Sequence, residues 1–372
     1  MMEFTASAPG KLVLLGEYVV LEGAPALVLA VNRRAEARIE TREDDVCEVH
    51  APDLGVSGAR MAVDNSGTLR WLCDETSAAK LSLVEHVWQG LVREKLAPQA
   101  GQGFSLHLDT SGFFNADGAM RAKLGLGSSA ALTVALASAL ATFAGHTDVL
   151  TDRTQWLRRL LHMHGGWQGG RGSGVDVAAS VAGGLIRYQL AGRRREPTFT
   201  QLPWPMSHVH CLFVWSGQSV STHDFLQRLA QWRASYAADY ASHMNELGAL
   251  SEAAFDVLYR EDAKSFIGLT KEYALALQQF GEACGLEIYS PAQKKLAQMA
   301  SEACVSYKPC GAGGDFGVVF ADDVERLVTF ERAIVSAGMH VVPLGLDSDG
   351  IISYMRQTRN LNPPENALNG FT

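Results

Sequence analysis

The stretch at residues 123–140, KLGLGSSAALTVALASAL, constrains this chain more than any other. It opens on a glycine-serine turn, Gly125-Leu126-Gly127-Ser128-Ser129, and runs into an alanine- and leucine-rich segment that stops at Gly145. Alanine and leucine are strong helix formers, and a glycine just past the last apolar residue is a common stop. Ser128 is placed as N-cap, its hydroxyl accepting from a first-turn amide. A glycine turn feeding a helix start leaves several backbone N–H groups aimed one way, where aligned peptide dipoles add about half a positive charge. That end is an anion cradle, and phosphate suits it. The plainer alternative is a helix whose glycines only permit close approach to a strand. The turn is not a Walker A loop, because no Gly-Lys-Ser/Thr closes it, and it lacks the acidic residue of the dinucleotide fingerprint.

A chain of 372 residues is long for one core, so two domains are expected. The net charge of −8 argues against a broad nucleic-acid surface, while a few local Lys and Arg residues can still hold a small anion. No segment approaches the roughly 20 apolar residues of a membrane span, and the N-terminus shows no basic region followed by an apolar run. Six cysteines without a C-x-x-C pair read as reduced thiols. A cytoplasmic monomer or homodimer is expected, with no nucleic-acid or membrane partner.

Residues 11–15, 26–31, 35–40 and 104–108 read as strands, and residues 78–95 as an amphipathic helix with apolar positions at Leu81, Val84, Val87, Trp88 and Leu91. A further helix is expected over 151–164. Residues 165–176, GGWQGGRGSGVD, are too rich in glycine for a regular element. Helix resumes at 177–181 and strand at 184–190, and residues 191–205 read as a linker or long hairpin. Beyond them, 208–215 is a strand, 222–258, 263–284 and 291–304 are helices, and strand character returns at 306–320 and 339–353. Strands mixed with runs of helices suggest α+β. The expected units are an N-terminal domain at 1–200, a C-terminal domain at 201–360 and an irregular tail at 361–372.

Three glycine-bearing segments stand out: Ser7-Ala8-Pro9-Gly10-Lys11 with Gly16-Glu17-Tyr18 behind it, the central turn, and Lys308-Pro309-Cys310-Gly311-Ala312-Gly313-Gly314-Asp315. With the Asp176 loop they supply what phosphoryl transfer needs. A backbone nest holds phosphates, hydroxyls help bind Mg²⁺, a lysine neutralises charge, and a carboxylate orients the attacking hydroxyl.

The order and spacing of these segments resemble the GHMP kinase superfamily over essentially the whole chain. That resemblance implies a two-domain fold, with an N-terminal domain like domain two of ribosomal protein S5 and a ferredoxin-like C-terminal domain. ATP and Mg²⁺ would bind with a small anionic substrate between them. Within the superfamily, Tyr18, Lys123, the loop GSGVDVAAS and Asp315 resemble the phosphomevalonate kinases. The carboxylate that mevalonate kinases place eleven residues before the loop aspartate falls here on Gly165. Transfer of phosphate from ATP to 5-phosphomevalonate is thus implied, with mevalonate kinase, or a non-catalytic ligand sensor on the same fold, as alternatives.

The same resemblance implies roles by position. Lys11 and Lys123 would neutralise charge and Asp176 would orient the acceptor or take its proton; the alternative for Asp176 is a cap on the helix at 177. Gly125, Gly127, Ser128, Ser129, Gly311, Gly313 and Gly314 would hold the nucleotide, with Ser129 as the Mg²⁺-side hydroxyl. Ser173, Gly174, Ser221, Thr222 and Lys308 would meet the substrate, although Ser221 and Thr222 could equally cap the helix after them. The third motif has two glycines before its aspartate where the family usually has three, and Cys310 stands where Ser is common. His162 and His164, two apart on a helix, point to different faces and are assigned no metal. His208 and His210 lack a partnering carboxylate and read as core or surface.

Overall fold

The computed structural model describes residues 1–115, 122–170, 172–191, 196–204, 208–217 and 222–357. The first half comprises β1 (Met2–Leu15), β2 (Ala26–Thr41), β3 (Cys47–Ala51), β4 (Val56–Val63), β5 (Leu69–Trp71), α1 (Glu75–Lys80), α2 (Ser82–Arg93), β6 (Phe104–Asp109), α3 (Ser128–Phe143), α4 (Arg153–Trp167), α5 (Val175–Ala182), β7 (Leu185–Ala191) and β8 (Glu196–Leu202). The second half comprises β9 (His210–Trp215), α6 (Thr222–Ser235), α7 (Ala237–Tyr259), α8 (Ala263–Cys284), α9 (Pro291–Glu302), β10 (Ser306–Pro309), β11 (Phe316–Ala321), α10 (Val324–Ser336), β12 (His340–Val341) and β13 (Ile352–Gln357).

Among the described residues these strands form two sheets. The larger runs β13-β1-β2-β6-β3-β4-β5, with β7 and β8 branching from β2; the smaller runs β10-β11-β9-β12 and is antiparallel throughout. The long strand β2 serves two partners in turn, β7 over its first residues and β6 over its last. The alanine-rich α3 is buried along almost its whole length and packs on β1 and β2. Alanine at most of those contacts lets helix and sheet backbones approach closely, so this helix is a core element rather than an amphipathic surface one.

The helices α8, α9 and α10 pack on the smaller sheet and α7 packs on α8, in keeping with the α+β expectation. The structure differs from the sequence reading in several places: β3, β4 and β5 are strands that the reading does not include, and α4 and α5 extend into the glycine-rich stretch 165–176. Residues 26–31 and 35–40 are one strand, β2, which pairs with β1 on both sides of a register shift at its polar middle, Asn32 and Arg33. The helix expected over 222–258 breaks at Tyr236 into α6 and α7. The helix α10 lies in a stretch that the strand-and-loop reading passed over. Finally, the segment 339–353 does not stay in the second domain: β13 pairs antiparallel with β1 in the larger sheet. Arg34 anchors that return, holding Asp347 at 2.5 Å and the carbonyl oxygen of Gly350 at 2.6 Å. The tail at 361–372 lies outside the described residues.

Candidate active site

The site is built where β1 meets the glycine turn. Between Pro9 and Gly10 the pairing shifts, with Asn32 and Arg33 of β2 bulged out of register, and just past it the Lys11 amide donates to the Leu126 carbonyl at 2.9 Å. A bulge re-aims the side chains that follow it. Gly127 then caps α3 with φ +78°, a left-handed conformation that costs glycine nothing. A Cβ there would lie 3.3 Å from Lys11 Cε and 3.6 Å from Asp176 Cβ, so the lysine and the aspartate both lie against the turn. A Cβ on Gly125 would fall 2.1 Å from Asp315 Oδ2, which seats the third glycine segment against the central turn. Ser128 is the first helical residue and not the cap expected of it; Gly127 holds that place without a side-chain bond, and the first-turn amides remain available to an anion.

Three connected hollows surround this junction. The largest, about 530 Å³, is lined by Lys11, Glu17, Tyr18, Ser173 and Asp176 from the first half and by Leu226, Gly311 and Ala312 from the second. A crevice of about 30 Å³ runs from Lys11 past Gly125 to Gly313 and Asp315. A third, about 140 Å³, is lined by Lys123, Ser128, Ser129, Lys80 and Asp53. Lys11 lines the first two, and Trp167 lines the first and third. The Lys11, Asp176 and third glycine segments therefore share the largest hollow, and the central turn adjoins it through Gly125 in the crevice and through Ser128 and Ser129 in the third hollow.

The electrostatics follow from this packing. Lys11, Ser173 and Asp176 are half-buried. Lys123 is exposed overall, yet protein crowded around its ammonium lowers its pKa. Asp176 is the second residue of α5, capped by Gly174, so the helix begins earlier than 177 and Asp176 is not its N-cap. One of its oxygens accepts from the Val177 amide at 2.9 Å. Near a helix N-terminus its negative charge is favoured. Burial, with the charge of Asp176, raises the pKa of Tyr188, whose hydroxyl fixes the loop by donating to the Ser173 carbonyl at 2.7 Å. Burial likewise pushes the Cys310 thiol up to about 12, so this cysteine is an apolar loop-filler and not a nucleophile.

Comparison with known proteins agrees with this arrangement. Residues 82–184 match the model for the GHMP kinases N terminal domain. The chain is 30% identical to the phosphomevalonate kinase of Streptomyces sp. (strain CL190), over 92% of its own length and 97% of the relative's. It is 26% identical to the mevalonate kinase of Thermococcus gammatolerans, over 91% and 94%. The chain belongs to the GHMP kinase family. Among solved structures, Streptococcus pneumoniae phosphomevalonate kinase in complex with phosphomevalonate and AMPPNP shares the fold with a TM-score of 0.70 at 18% identity, covering 92% of this chain and 99% of that one.

As a GHMP kinase the protein is a phosphotransferase, and its sequence-expected site residues sort clearly. Lys11, Ser173 and Asp176 share the main cavity with Gly311; Gly125 and Gly313 share the crevice with Lys11; Lys123, Ser128 and Ser129 share the third hollow. Gly174 lies behind the cavity as the α5 cap, and Gly314 carries a carbonyl that accepts from the Ser216 hydroxyl. Ser221 lies outside the described residues, and of Thr222 only its place at the start of α6 is described.

Lys308 is a correction. It is fully buried, ion-paired with Glu17, and donates to the Pro309 carbonyl at 2.6 Å, so it closes the two halves together instead of meeting a substrate. Tyr273 completes that buried knot, its hydroxyl accepting from the Gly16 amide and donating to the Glu17 carbonyl, each at 3.2 Å. The cue lay in the sequence: one acid in GEYVV and one base in SYKP, each alone among apolar residues, are best buried as partners.

Three residues of this kinase were missed as site components. Tyr18 has φ +63°, an outlier for a bulky residue, and its hydroxyl donates to the Ala312 carbonyl at 2.7 Å. The strained loop thus clips the third glycine segment onto the main cavity. Trp167 forms the wall common to two hollows, and His164 is buried with Nε2 3.3 Å from the Ser129 hydroxyl oxygen. Periodicity could place His164 on a helix but not say which helix it would face. No helix among the described residues is long and apolar enough to cross a membrane.

Proposed function

We propose that this kinase transfers the terminal phosphoryl group of ATP to the phosphate of 5-phosphomevalonate, giving 5-diphosphomevalonate on the mevalonate route to isoprenoids. The observation that carries the proposal is the convergence of Lys11 and Asp176 on the Gly127 turn, both lining a cavity large enough for a small anion. The Streptomyces relative at 30% identity supports phosphomevalonate over mevalonate as acceptor.

In this reading the α3 N-terminus holds the nucleotide phosphates, with Ser128 and Ser129 beside them and Lys123 at the mouth. Lys11 faces the site of transfer. Its ammonium offsets charge that builds on the transferring group, a contribution that grows toward the transition state. Asp176 receives or orients the acceptor. A phosphate oxygen is far more acidic than an alcohol, so alignment and charge neutralisation outweigh proton removal. Ser173 and Tyr18 shape the acceptor side, and Trp167 separates it from the nucleotide side.

Mg²⁺ fits the donor set. No group of three or more His, Cys, Asp or Glu among the described residues forms a cage. Instead a half-buried hydroxyl, Ser129, stands at a phosphate cradle, and Mg²⁺ characteristically takes few protein ligands beside phosphates and waters. It would supply charge neutralisation on the phosphate oxygens.

A coupled ADP-release assay with each acceptor tests the assignment. The expected result is a kcat/KM for 5-phosphomevalonate at least about a hundredfold above that for mevalonate, the scale of a lost charged anchor. The reverse preference would make the protein a mevalonate kinase.

A further inference from the structure

His164 lies on the inward face of α4 and is 2% exposed. Its Nε2 approaches the Ser129 hydroxyl at 3.3 Å, and its ring centroid lies 6.0 Å from that of Trp167. The end of α4 is held in place: the Gln168 amide donates to the His164 carbonyl at 3.0 Å, and Trp167 Nε1 donates to the Ser82 hydroxyl at 3.3 Å. A buried imidazole on a fixed helix is a firm partner for a hydroxyl that would otherwise rotate.

A hydroxyl has one proton and two lone pairs, so its partner decides what it shows to the cleft. An imidazole N–H pointing at Ser129 would occupy a lone pair and turn the hydroxyl proton toward the phosphates. An unprotonated Nε2 would take that proton and leave lone pairs facing the cleft. The cleft is already rich in donors, with the α3 amides, Lys123 and Lys80 around it. Acceptors are scarcer. Asp53, the carboxylate lining the same hollow, accepts from both the amide and the hydroxyl of Thr110, at 2.7 and 2.9 Å.

We infer that His164 is a positioning residue for phosphoryl transfer: its Nε2 accepts the Ser129 hydroxyl proton and so turns a lone pair of that oxygen toward the divalent cation that accompanies the nucleotide. The inference rests on the reading of Ser129 as the cation-side hydroxyl. His164 itself touches neither cation nor phosphate. It acts by removing one of the two orientations open to Ser129.

Two measurements test it. Nitrogen-detected NMR of the wild-type imidazole should show the proton on Nδ1 and none on Nε2; a protonated Nε2 overturns the inference without any variant having to fold. Calorimetry with ADP, in excess Mg²⁺ and again in excess EDTA, reads the second consequence. His164→Leu should weaken the magnesium-dependent part of ADP affinity by about tenfold or more, the usual scale for removing a support behind a metal ligand, while metal-free affinity stays unchanged. His164→Gln, which keeps an acceptor near the Nε2 position, should restore most of the loss. Ser129→Ala should lose as much as His164→Leu, and the double variant no more than either. If Ser129→Ala loses the magnesium increment and His164→Leu keeps it, the inference falls and the reading of Ser129 stands. If the wild type has no such increment, or Ser129→Ala leaves it intact, the reading falls and takes the inference with it. Equal losses with and without magnesium in His164→Leu would mark a structural role and also overturn it.

Discussion

Lys11 and Lys308 each sit beside a proline and a glycine loop at the junction of the two sheets, and they have opposite fates. Lys11 follows the register shift between β1 and β2 and lines two of the three hollows. Lys308 lies in β10, a strand buried on both faces, with Glu17 closed over its ammonium. A lysine in a dry strand keeps its charge only with a permanent counter-ion. A lysine at a cleft can leave its compensation to a ligand, and a polyanion is the ligand that provides most. The pair therefore separates what holds this kinase together from what it works with. The sequence reading places both in the site, Lys11 as a charge-neutralising group and Lys308 as a substrate contact.

The largest expected effect breaks the buried half of the comparison. Lys308→Met leaves the Glu17 carboxylate uncompensated and should lower unfolding free energy by about 3–5 kcal/mol, read by denaturant titration. Adding Glu17→Gln should recover part of that loss, because no lone charge then remains. If Lys308→Met is fully stable and instead loses acceptor affinity, Lys308 belongs to the cavity after all.

The open half should respond the other way. Lys11→Met should lower kcat on the order of 10²-fold or more, as for removal of a donor aimed at developing charge, with an unchanged denaturation midpoint. An unchanged kcat would remove Lys11 from the mechanism. Asp176→Asn tests the carboxylate beside it. Asn keeps the shape and can still accept from the Val177 amide. Turnover should therefore fall by about tenfold or more, while stability falls by less than about 1 kcal/mol, the scale of a single helix-end interaction. A variant that mainly unfolds would assign Asp176 to the integrity of α5.

The sequence carried the site further than it carried the fold's connections. The turn before α3 and the Asp176 loop were legible because each is a run whose backbone conformation is constrained locally, a glycine at positive φ and then a helix start, while the Lys11 segment showed itself as a Pro-Gly pair opening a short apolar strand. The return of β13 to β1 was not legible, since it depends on Arg34 meeting Asp347 across some 300 residues, and no periodicity reports that. The same limit applies to Lys308 and His164. Each was assigned from its own neighbours in the chain, and each role is decided by a partner on another element, Glu17 in one case and Ser129 in the other. The helix α10 escaped for a different reason: only Phe330 and Ile334 of its residues are buried, so its apolar stripe is narrow.

The smallest expected effect concerns a lysine intermediate between the two extremes. Burial against the walls of the third hollow lowers the pKa of Lys123, so its charge is lost at a lower pH than that of an ordinary lysine. As pH rises through that region the cleft loses a cation, and KM for the anionic substrates should climb. Stability moves the opposite way. Between the lowered folded pKa and the ordinary unfolded one, the unfolded chain binds more protons, so the contribution of this group to stability rises with pH. A fall in activity that tracks unfolding would therefore have another origin. Lys123→Arg, charged throughout, should flatten the alkaline rise in KM while leaving the neutral value within a few fold. An alkaline limb that persists in the arginine variant assigns the titration elsewhere and leaves Lys123 a spectator at the mouth of the cleft.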